Sequence, residues 1–329
     1  MIEKINIGVI GCASIAERYM IPALLKSPNF NLKFVASRDI NKAKSFSKKF
    51  ECLYLNSYQD LIQHENIKAI YMPLPTGLHY EWAKKGLNAG KHLFIEKSLG
   101  SNLRETREIV NLAKKKNLLV MENYMFEFHS QQKWVKQVIQ NDLKRLHSFN
   151  AYFAFPKLSR DNFRYNKRLG GGALLDAGGY VLKSLKVFFP EYKMKYISSN
   201  LYYLENGVDI GGTANFMLSN NINNISANLF FGFDHEYRCG IEIWGSGGFL
   251  QTNRTFTAPP SFEPMASLKI KNNFKNYTLE EDNHFLKIIN HFAYLINSGN
   301  FQETYSEIEY QAKLQDIIRK KSFNLEISN

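Results

Sequence analysis

The sequence predicts two domains of different class, an α/β domain followed by an α+β domain. Strand and helix patterns alternate through about residue 123, which is typical of a doubly wound parallel sheet. Between residues 194 and 278 strand patterns follow one another without helices, which favours a largely antiparallel, open-faced sheet. The chain has 329 residues, too many for one small core. We therefore assign the first domain to residues 1–123 and the second to residues 124–329, with the closing helices (281–321) packing back on the first domain.

The composition indicates a soluble globular protein, since 44% of the residues are hydrophobic and 22% are charged. No apolar run approaches the roughly 20 residues of a membrane span, and the chain enters a strand pattern without a signal peptide. We therefore expect a cytoplasmic protein that does not bind membranes. Three widely separated cysteines and eight histidines without ligand spacing suggest neither disulfides nor a metal site.

The net charge of +12 leaves three interpretations. A basic protein binds nucleic acid, attracts small phosphorylated ligands, or simply has a lysine-rich solvated surface. Its basic residues occur in short groups on helical faces, such as 114–116 and 319–321, and the sequence lacks a zinc finger or a long basic arm. We therefore expect no nucleic-acid partner, and the other two interpretations stay open.

The first strand, Ile5 to Ile10, ends in a glycine turn that opens a helix. Gly11, Ala13 and Ala16 have the spacing of GxGxxG, in which small residues let the backbone approach a pyrophosphate. On its own, Gly11 is equally consistent with an ordinary turn that binds no cofactor. The strand from Leu32 to Ala36 follows at the distance that a βαβ unit requires, so the sequence predicts a Rossmann dinucleotide site. Its candidate cofactor contacts are Gly11, Ala13, Ser14 and Ile15.

The end of the second strand favours NADP(H) over NAD(H). A carboxylate there would bind the ribose 2′-hydroxyl of NAD, but the chain has Ser37 and Arg38, which suit a 2′-phosphate. Asp39 comes too late for that role and is better explained as a helix N-cap. The alternative is that Arg38 is an ordinary surface residue.

The remaining strands of the first domain end in polar or proline-rich segments. Short strands at 53–55, 69–72, 93–95 and 118–122 complete a six-strand alternation. After the strand at 69–72, two prolines make a rigid, extended loop that suits a wall for the nicotinamide ribose. The strand at 93–95 stops abruptly at Glu96 and Lys97. Ligands bind at the carboxyl ends of such strands, so we infer that Lys97 is the chemical centre.

The second domain carries another candidate site on one helix. A helix covers 131–140, a strand covers 147–155, and a polar loop at 159–169 precedes three glycines and a helix from Ala173. Asp176 and Tyr180 lie four residues apart on that helix, so they point from one face. A buried aspartate needs a cationic partner, and Lys97 is a candidate.

Together these motifs resemble the Gfo/Idh/MocA family (glucose-fructose oxidoreductase and inositol dehydrogenase type). The resemblance rests on the Gly11 turn, the segment 89–97, and the triple glycine at 170–172 followed by Asp176 and Tyr180. Three further segments, 121–126, 245–248 and 255–260, look most like deoxysugar C-3 ketoreductases that act on dTDP-linked ketosugars. The family usually has proline after the catalytic lysine, whereas this chain has Ser98.

The resemblance implies a carbonyl reduction in which Tyr180 is the general acid and Lys97 stabilises the alkoxide. A cation about 4 Å from a group in a site of effective dielectric near 20 contributes up to roughly 4 kcal/mol, enough to lower a tyrosine pKa substantially. Asp176 would orient Lys97 or a sugar hydroxyl, and Glu96 would hold the nicotinamide ribose. The further cofactor contacts implied are Leu74, Pro75, Thr76, His79 and Asn123, and the further substrate contacts are Arg164, Tyr237, Arg254 and Phe126.

Each of these residues also has a purely structural interpretation. Lys97 is alternatively a surface lysine and Tyr180 a core tyrosine, while Phe126 and Tyr237 are more commonly core residues than substrate platforms.

Three functions follow, in order of preference. The first is NADPH-dependent reduction of a keto group on a nucleotide-linked deoxysugar. The second is an NADP-dependent free-sugar or trans-diol dehydrogenase, and the third is a nucleotide-binding sensor without turnover. We also expect a homodimer or homotetramer formed through the second domain's sheet, because an uncovered sheet face needs a partner.

Overall fold

The computed structural model describes residues 3–327, and the chain divides into two compact units. The first unit runs to Asn123 and also includes Phe285–Ala312, whereas the second contains Tyr124–His284 and the residues from Lys313 onward. Each unit has its own sheet.

The first unit contains a six-stranded parallel sheet in the order β3-β2-β1-β4-β5-β6. Its strands are β1 (Ile5–Ile10), β2 (Phe30–Ala36), β3 (Leu53–Leu55), β4 (Ala69–Met72), β5 (His92–Ile95) and β6 (Val120–Glu122). Every residue of β4 and β5 is buried, as expected for central strands covered on both faces. The strand order reverses between β1 and β4, which is where open α/β sheets bind ligands.

Five helices connect these strands: α1 (Ile21–Lys26), α2 (Ile40–Phe50), α3 (Tyr58–Gln63), α4 (Thr76–Asn88) and α5 (Leu103–Lys116). Asp39 accepts hydrogen bonds from the backbone N–H groups of Asn41 and Lys42, which confirms it as the N-cap of α2. A π-helical turn, Ala16–Met20, precedes α1. Pro22 lacks an N–H and interrupts the α-helical hydrogen bonds there, which accounts for the wider turn.

The loop after β4 is shorter than the sequence predicts. We expected an extended segment through His79, but Thr76 already begins α4, and His79 lies in its first turn. The cause is Pro75, whose φ of −59° and ψ of 141° place it as the helix N-cap residue. Only Pro73, Leu74 and Pro75 form the loop.

The second unit contains a nine-stranded mixed sheet in the order β14-β13-β12-β11-β7-β10-β9-β8-β15. Its strands are β7 (Leu146–Phe155), β8 (Lys193–Tyr203), β9 (Asp209–Ser219), β10 (Asn224–Phe233), β11 (Arg238–Gly245), β12 (Gly248–Asn253), β13 (Met265–Ile270), β14 (Asn273–Thr278) and β15 (Phe323–Glu326). The pairs β7–β10 and β8–β15 are parallel and the other pairs are antiparallel. The expectation of a largely antiparallel sheet is confirmed.

Two helices belong to this unit, α6 (Ser130–Asn141) and α7 (Ala173–Phe188). Helix α7 packs on one face of the sheet and is buried over almost its whole length. A Cβ on its Gly178 would lie 3.2 Å from the Phe231 ring of β10, so a small residue lets the helix approach the sheet. The helix that carries Asp176 and Tyr180 is therefore held by close packing.

The last two helices are α8 (His284–Ser298) and α9 (Gln302–Lys321). Within the first unit, Phe292 of α8 stacks on Phe94 of β5 at a centroid distance of 5.2 Å, and Phe285 stacks on Tyr19 at 4.7 Å. Asn290 accepts a hydrogen bond from Ser27 Oγ at 2.7 Å. Helix α8 thus contributes to the core of the first unit. Within residues 3–327, the helices are all too short or too polar to cross a lipid bilayer.

Candidate active site

The glycine turn after β1 is closely packed against the loop that follows β4. Gly11 has a φ of +115°, and a Cβ there would lie 2.8 Å from Leu74 Cδ2 and 3.3 Å from the Pro73 carbonyl oxygen. Only glycine fits both the backbone angle and the space. Ala13 and Ile15 are half-buried behind it and Ser14 is exposed. The predicted dinucleotide turn is therefore present at the switch point of the sheet.

The end of β2 presents a hydroxyl and a guanidinium. Ser37 is buried and its Oγ accepts a hydrogen bond from the Asp39 N–H at 3.2 Å. Arg38 is exposed, and its side chain reaches the hydroxyl of Tyr58. Burial raises the pKa of Tyr58, against the opposing effect of the nearby Arg38 charge. The Arg38 side chain is thus held beside the Tyr58 phenol at the end of β2.

His79 connects two loops of the first unit. Its Nδ1 lies 2.8 Å from the Ser98 carbonyl oxygen and its Nε2 lies 2.8 Å from the Leu74 carbonyl oxygen. Burial lowers the pKa of His79 to about 4, outweighing the two carbonyls that oppose the shift. His79 is one of the predicted cofactor contacts; its side chain is fully buried, and both ring nitrogens face backbone oxygens. Its position supports a role in holding the loops after β4 and β5 together.

Glu96 is held by two hydrogen-bond donors at the end of β5. Tyr71 Oη and Asn123 Nδ2 each donate to Glu96 Oε1, both at 2.7 Å. Tyr71 and Asn123 have no exposed surface, so these bonds are sheltered from water. Charge-assisted hydrogen bonds of this length fix a carboxylate firmly. Sequence reasoning missed Tyr71, because a single tyrosine in an apolar strand gives no signal of its partner.

Lys97 follows directly and is half-buried. The peptide bond between Lys97 and Ser98 is cis. Ser98 is 2% exposed, and the next residue, Leu99, donates its backbone N–H to Glu122 Oε1 at 2.7 Å. The peptide group between Ser98 and Leu99 is therefore fixed at both of its polar atoms, the carbonyl by His79 and the N–H by Glu122.

In the second unit, Asp176 forms an ion pair with Arg164. The distance from Arg164 Nε to Asp176 Oδ2 is 2.6 Å, and the two side chains are 29% and 16% exposed. The polar loop before the glycines thus supplies a cation to the predicted face of α7. The further expectation that Asp176 orients Lys97 stays a prediction.

Tyr180 lies in an aromatic cluster and is 5% exposed. Four rings have centroids between 5.2 and 6.1 Å from its own, at inclined or perpendicular angles: Tyr124, Phe126, Phe153 and Phe256. Its hydroxyl lies 3.7 Å from Met125 Sδ. We predicted Phe126 as a substrate contact, but it is fully buried and packs against Tyr180 and Phe256. Its position makes it a support for the Tyr180 ring.

Arg254 and Tyr237 form a second polar cluster in the same unit. Arg254 Nη1 donates to Tyr237 Oη at 2.9 Å, and its guanidinium carbon lies 4.3 Å from the centre of the Tyr237 ring. Burial raises the pKa of Tyr237 to about 12, so this phenol stays neutral. Phe256, two residues after Arg254, packs against Tyr180. The chain therefore brings Arg254 near the aromatic cluster of Tyr180.

The first unit fits a dinucleotide cofactor in two respects. At Gly11 the backbone packs so closely against Leu74 and Pro73 that only glycine fits, as the tight turn of a dinucleotide-binding motif requires. Asn123 Oδ1 is buried, and within residues 3–327 no hydrogen-bond donor reaches it. A ligand hydroxyl or amide would satisfy this oxygen. The same residues contain no group of three or more histidine, cysteine or acidic side chains that could hold a metal ion.

Known proteins resemble the chain over nearly its full length. A dTDP-3,4-didehydro-2,6-dideoxy-alpha-D-glucose 3-reductase from Saccharopolyspora spinosa is 36% identical over 300 residues, covering 91% of this chain and 90% of the relative. An enzyme of the same name from Actinomadura kijaniata is 33% identical over 320 residues, covering 96% and 95%. The crystal structure of KijD10, a 3-ketoreductase from Actinomadura kijaniata in complex with NADP and TDP-benzene, superposes with a TM-score of 0.94 at 32% identity over 99% of this chain and 100% of that one.

A family model also matches residues 5–124, described as an oxidoreductase family with an NAD-binding Rossmann fold, GFO_IDH_MocA. The match covers the parallel sheet that carries Gly11 and Lys97. This chain belongs to the Gfo/Idh/MocA family of NAD(P)-dependent oxidoreductases.

Proposed function

We propose that the protein reduces the 3-keto group of a dTDP-linked 2,6-dideoxysugar with NADPH. The observation that carries the proposal is the full-length similarity to 3-ketoreductases, including a TM-score of 0.94 to one crystallised with NADP and TDP-benzene. The chain supplies every residue type that the reaction requires, in both units.

NADPH, when bound, supplies the hydride. The residues of this chain that would hold it are Gly11 and the short segment after it, Ser37, Arg38, Glu96 and Asn123. Arg38 selects the 2′-phosphate because a guanidinium forms paired, charge-assisted bonds with phosphate oxygens. Glu96, fixed by Tyr71 and Asn123, is a rigid acceptor for a ribose hydroxyl.

Tyr180 donates the proton to the carbonyl oxygen of the substrate. Its ring is held by four aromatic neighbours, so little side-chain freedom is lost when the hydroxyl acts. Lys97 stabilises the negative charge that develops on that oxygen, and a fixed donor of this kind contributes about 10²–10³ in rate. Asp176, paired with Arg164, binds a hydroxyl of the sugar ring.

The diphosphate of the substrate is bound by Arg254. Its guanidinium is held flat by the Tyr237 ring and by one hydrogen bond, which leaves further donors for phosphate oxygens. Cation–π contact and hydrogen bonding together keep the group preorganised.

The experiment is a turnover assay with purified protein, NADPH and dTDP-3,4-didehydro-2,6-dideoxy-α-D-glucose, with the product identified by NMR. We expect stoichiometric loss of NADPH and a new hydroxyl at C-3. In the Arg38→Ala variant, the ratio of kcat/KM for NADPH to kcat/KM for NADH should fall at least tenfold. Absence of turnover with this sugar would contradict the proposal.

The alternative of a free-sugar or trans-diol dehydrogenase is tested in the opposite direction. The assay offers NADP+ with free pentoses, hexoses and a cyclic trans-diol. We expect weak or no oxidation. Efficient oxidation of a free sugar, without detectable binding of dTDP, would favour that alternative instead, whereas dTDP binding without any turnover would favour a sensor.

We further propose that the protein forms a homodimer or homotetramer through the face of the nine-stranded sheet that α7 leaves open. Phe230, Trp244, Met265 and Phe274 lie on this face, each about half exposed. Between them runs a polar row across neighbouring strands that includes Asn150, Asn215 and Asn228. A half-exposed apolar surface of this extent favours a partner with the same surface.

Light scattering with size-exclusion chromatography tests the assembly. We expect the mass of a dimer or tetramer at micromolar concentration and a shift toward monomer in a Phe230→Lys, Trp244→Lys variant. A monomeric wild-type protein would rule the assembly out, without affecting the assignment of the reaction.

A further inference from the structure

The buried carboxylate of Asp209 lies at the beginning of α7, and no role has been given to it above. Asp209 is the first residue of β9 and is 8% exposed. Its Oδ2 accepts a hydrogen bond from the backbone N–H of Leu174 at 2.6 Å, and its carboxylate also receives the N–H of Ala173. It therefore satisfies two of the backbone donors that a helix start leaves unpaired.

Helix α7 has no cap of its own. The residue at the N-cap position is Gly172, which carries no side chain and has a φ of +127°. A Cβ at this position would lie 2.3 Å from Asp209 Oδ1, so glycine makes room for the carboxylate. The cap thus comes from a strand 35 residues further along the chain.

The three glycines at 170–172 make this helix start costly to order. Glycine loses more conformational freedom on folding than any other residue. A negative charge at a helix N-terminus opposes fraying, both by accepting hydrogen bonds and by its interaction with the helix dipole. Burial raises the pKa of Asp209, and the two backbone N–H bonds and the positive charge of Arg319 on α9 oppose that shift.

We propose that Asp209 is a positioning residue for the reaction, which fixes the first two turns of α7 and thereby the directions of Asp176 and Tyr180. Asp176 lies two residues after Leu174. Tyr180 lies six residues after Leu174, about 9 Å at the helical rise of 1.5 Å per residue. A helix start that frays would release the Asp176–Arg164 ion pair first. This inference rests on the proposed role of Tyr180 and Asp176 in reduction.

The test compares Asp209→Ala, Asp209→Asn and the matched control Asn223→Ala. Asn223 is also buried, and its side chain also accepts a hydrogen bond from a backbone N–H group, that of Leu146 at 3.0 Å. It precedes β10 and holds the first residue of β7, so it makes no contribution to the start of α7. All variants are measured at a temperature at which circular dichroism shows them folded. The readouts are kcat and KM for each substrate, and hydrogen exchange of peptides covering residues 172–177.

We expect Asp209→Ala to lower kcat/KM for the ketosugar at least tenfold, with the KM for NADPH unchanged within twofold. Exchange of the 172–177 amides should accelerate at least tenfold. Asp209→Asn keeps one acceptor oxygen and should stay within fivefold of wild type, and Asn223→Ala should stay within twofold in both readouts.

Two results would overturn the inference: unchanged exchange at 172–177 in Asp209→Ala, or a loss of turnover that Asn223→Ala reproduces. If Asp209→Ala does not fold, Asp209→Asn decides by the smaller change expected of it. Exchange at 172–177 that is two- to fivefold faster, with turnover two- to fivefold lower, supports the inference, and values within twofold of wild type in both readouts oppose it. If the wild-type protein does not turn over the ketosugar, that result counts against the proposed function. The hydrogen-exchange data alone would then test whether Asp209 stabilises the start of α7.

Discussion

The two units place their functional side chains by different means. In the first unit, Glu96 and Lys97 lie on a loop whose backbone and side chains are tied by polar contacts from His79, Tyr71 and Glu122. In the second unit, Tyr180 projects from a buried helix and is surrounded by aromatic rings. One region is fixed by directional hydrogen bonds and the other by packing and a helix start.

This difference predicts which property each region loses when one of its residues is replaced. Removing a single polar atom breaks a hydrogen bond that holds a loop. We expect this to weaken ligand binding more than it lowers the stability of the fold. A packed aromatic cluster tolerates polar changes nearby but not the removal of side-chain volume. We expect such a removal to lower the free energy of unfolding before it affects ligand binding. The following predictions test that contrast, beginning with the largest effect.

Replacing Lys97 by methionine should lower kcat about 10³-fold while the protein remains folded. The reason is that the change removes a fixed positive charge from the reacting oxygen and leaves the loop ties in place. Steady-state kinetics and a thermal melt measure the two effects separately. Lys114→Met is the control, because Lys114 pairs with Glu309 on the surface and should leave kcat unchanged. A melting temperature that falls as strongly as kcat would contradict the contrast.

Replacing Phe126 by alanine should lower the free energy of unfolding by about 3–5 kcal/mol, because it empties a fully buried site beneath Tyr180. Urea denaturation measures this loss. Ile222→Ala, in the exposed turn before β10, should change stability by less than about 0.5 kcal/mol. Comparable losses in the two variants would remove the claim that packing holds the second region.

The first unit should lose stability on mild acidification through His79. Its ordinary pKa of 6.5 applies to the unfolded chain, and burial lowers the folded value to about 4. The unfolded chain therefore binds more protons between these values, so the stabilisation is complete above pH 6.5 and is lost as the pH falls toward 4. The shift corresponds to about 3 kcal/mol.

Denaturation curves of wild type and His79→Gln between pH 7 and about pH 4 measure this contribution. The variant should be less stable at neutral pH and show a flatter pH dependence. His92, whose pKa burial also lowers to about 4, gives a matched comparison in the same unit. Equal slopes in wild type and His79→Gln would show that His79 is not buried as a neutral ring.

Replacing Tyr71 by phenylalanine should raise the KM for NADPH about tenfold and leave the KM for the ketosugar unchanged. The change removes one of two donors to Glu96 Oε1, and a hydrogen bond to a charged group contributes about 1.5–3 kcal/mol. The matched control is Tyr305→Phe, whose hydroxyl donates to the Leu118 carbonyl in the same unit but is not part of the site. Equal effects on both substrates would indicate a general loss of order.

The succession of strands and helices along the chain and several site side chains could be predicted because they depend on local patterns. The apolar runs ending at Ala36 and Ile95, the glycine at 11 and the four-residue spacing of Asp176 and Tyr180 are all local signals. The first domain's boundary at residue 123 coincides with the division of the chain, but residues 285–312 belong to the first unit.

What the sequence could not show are contacts between distant residues and weak edge strands. The partners of Glu96, the capping of α7 by Asp209 and the rings around Tyr180 involve separations of 25 to 76 residues. Strand β15 lies outside the range in which the sequence predicts strands, because it is wholly exposed and lacks an alternating apolar face. Such edge strands are specified by their neighbours in the sheet rather than by their own pattern.

The central claim is that Tyr180 supplies the proton while the first unit holds the cofactor. The most direct measurement is the single-turnover rate of Tyr180→Phe preloaded with NADPH, together with its Kd for NADPH. We predict a rate about 10³-fold below wild type, as for loss of a general acid, with a Kd unchanged within twofold. A rate within fivefold of wild type would contradict the account, and so would a loss of rate that a weaker Kd for NADPH explains in full.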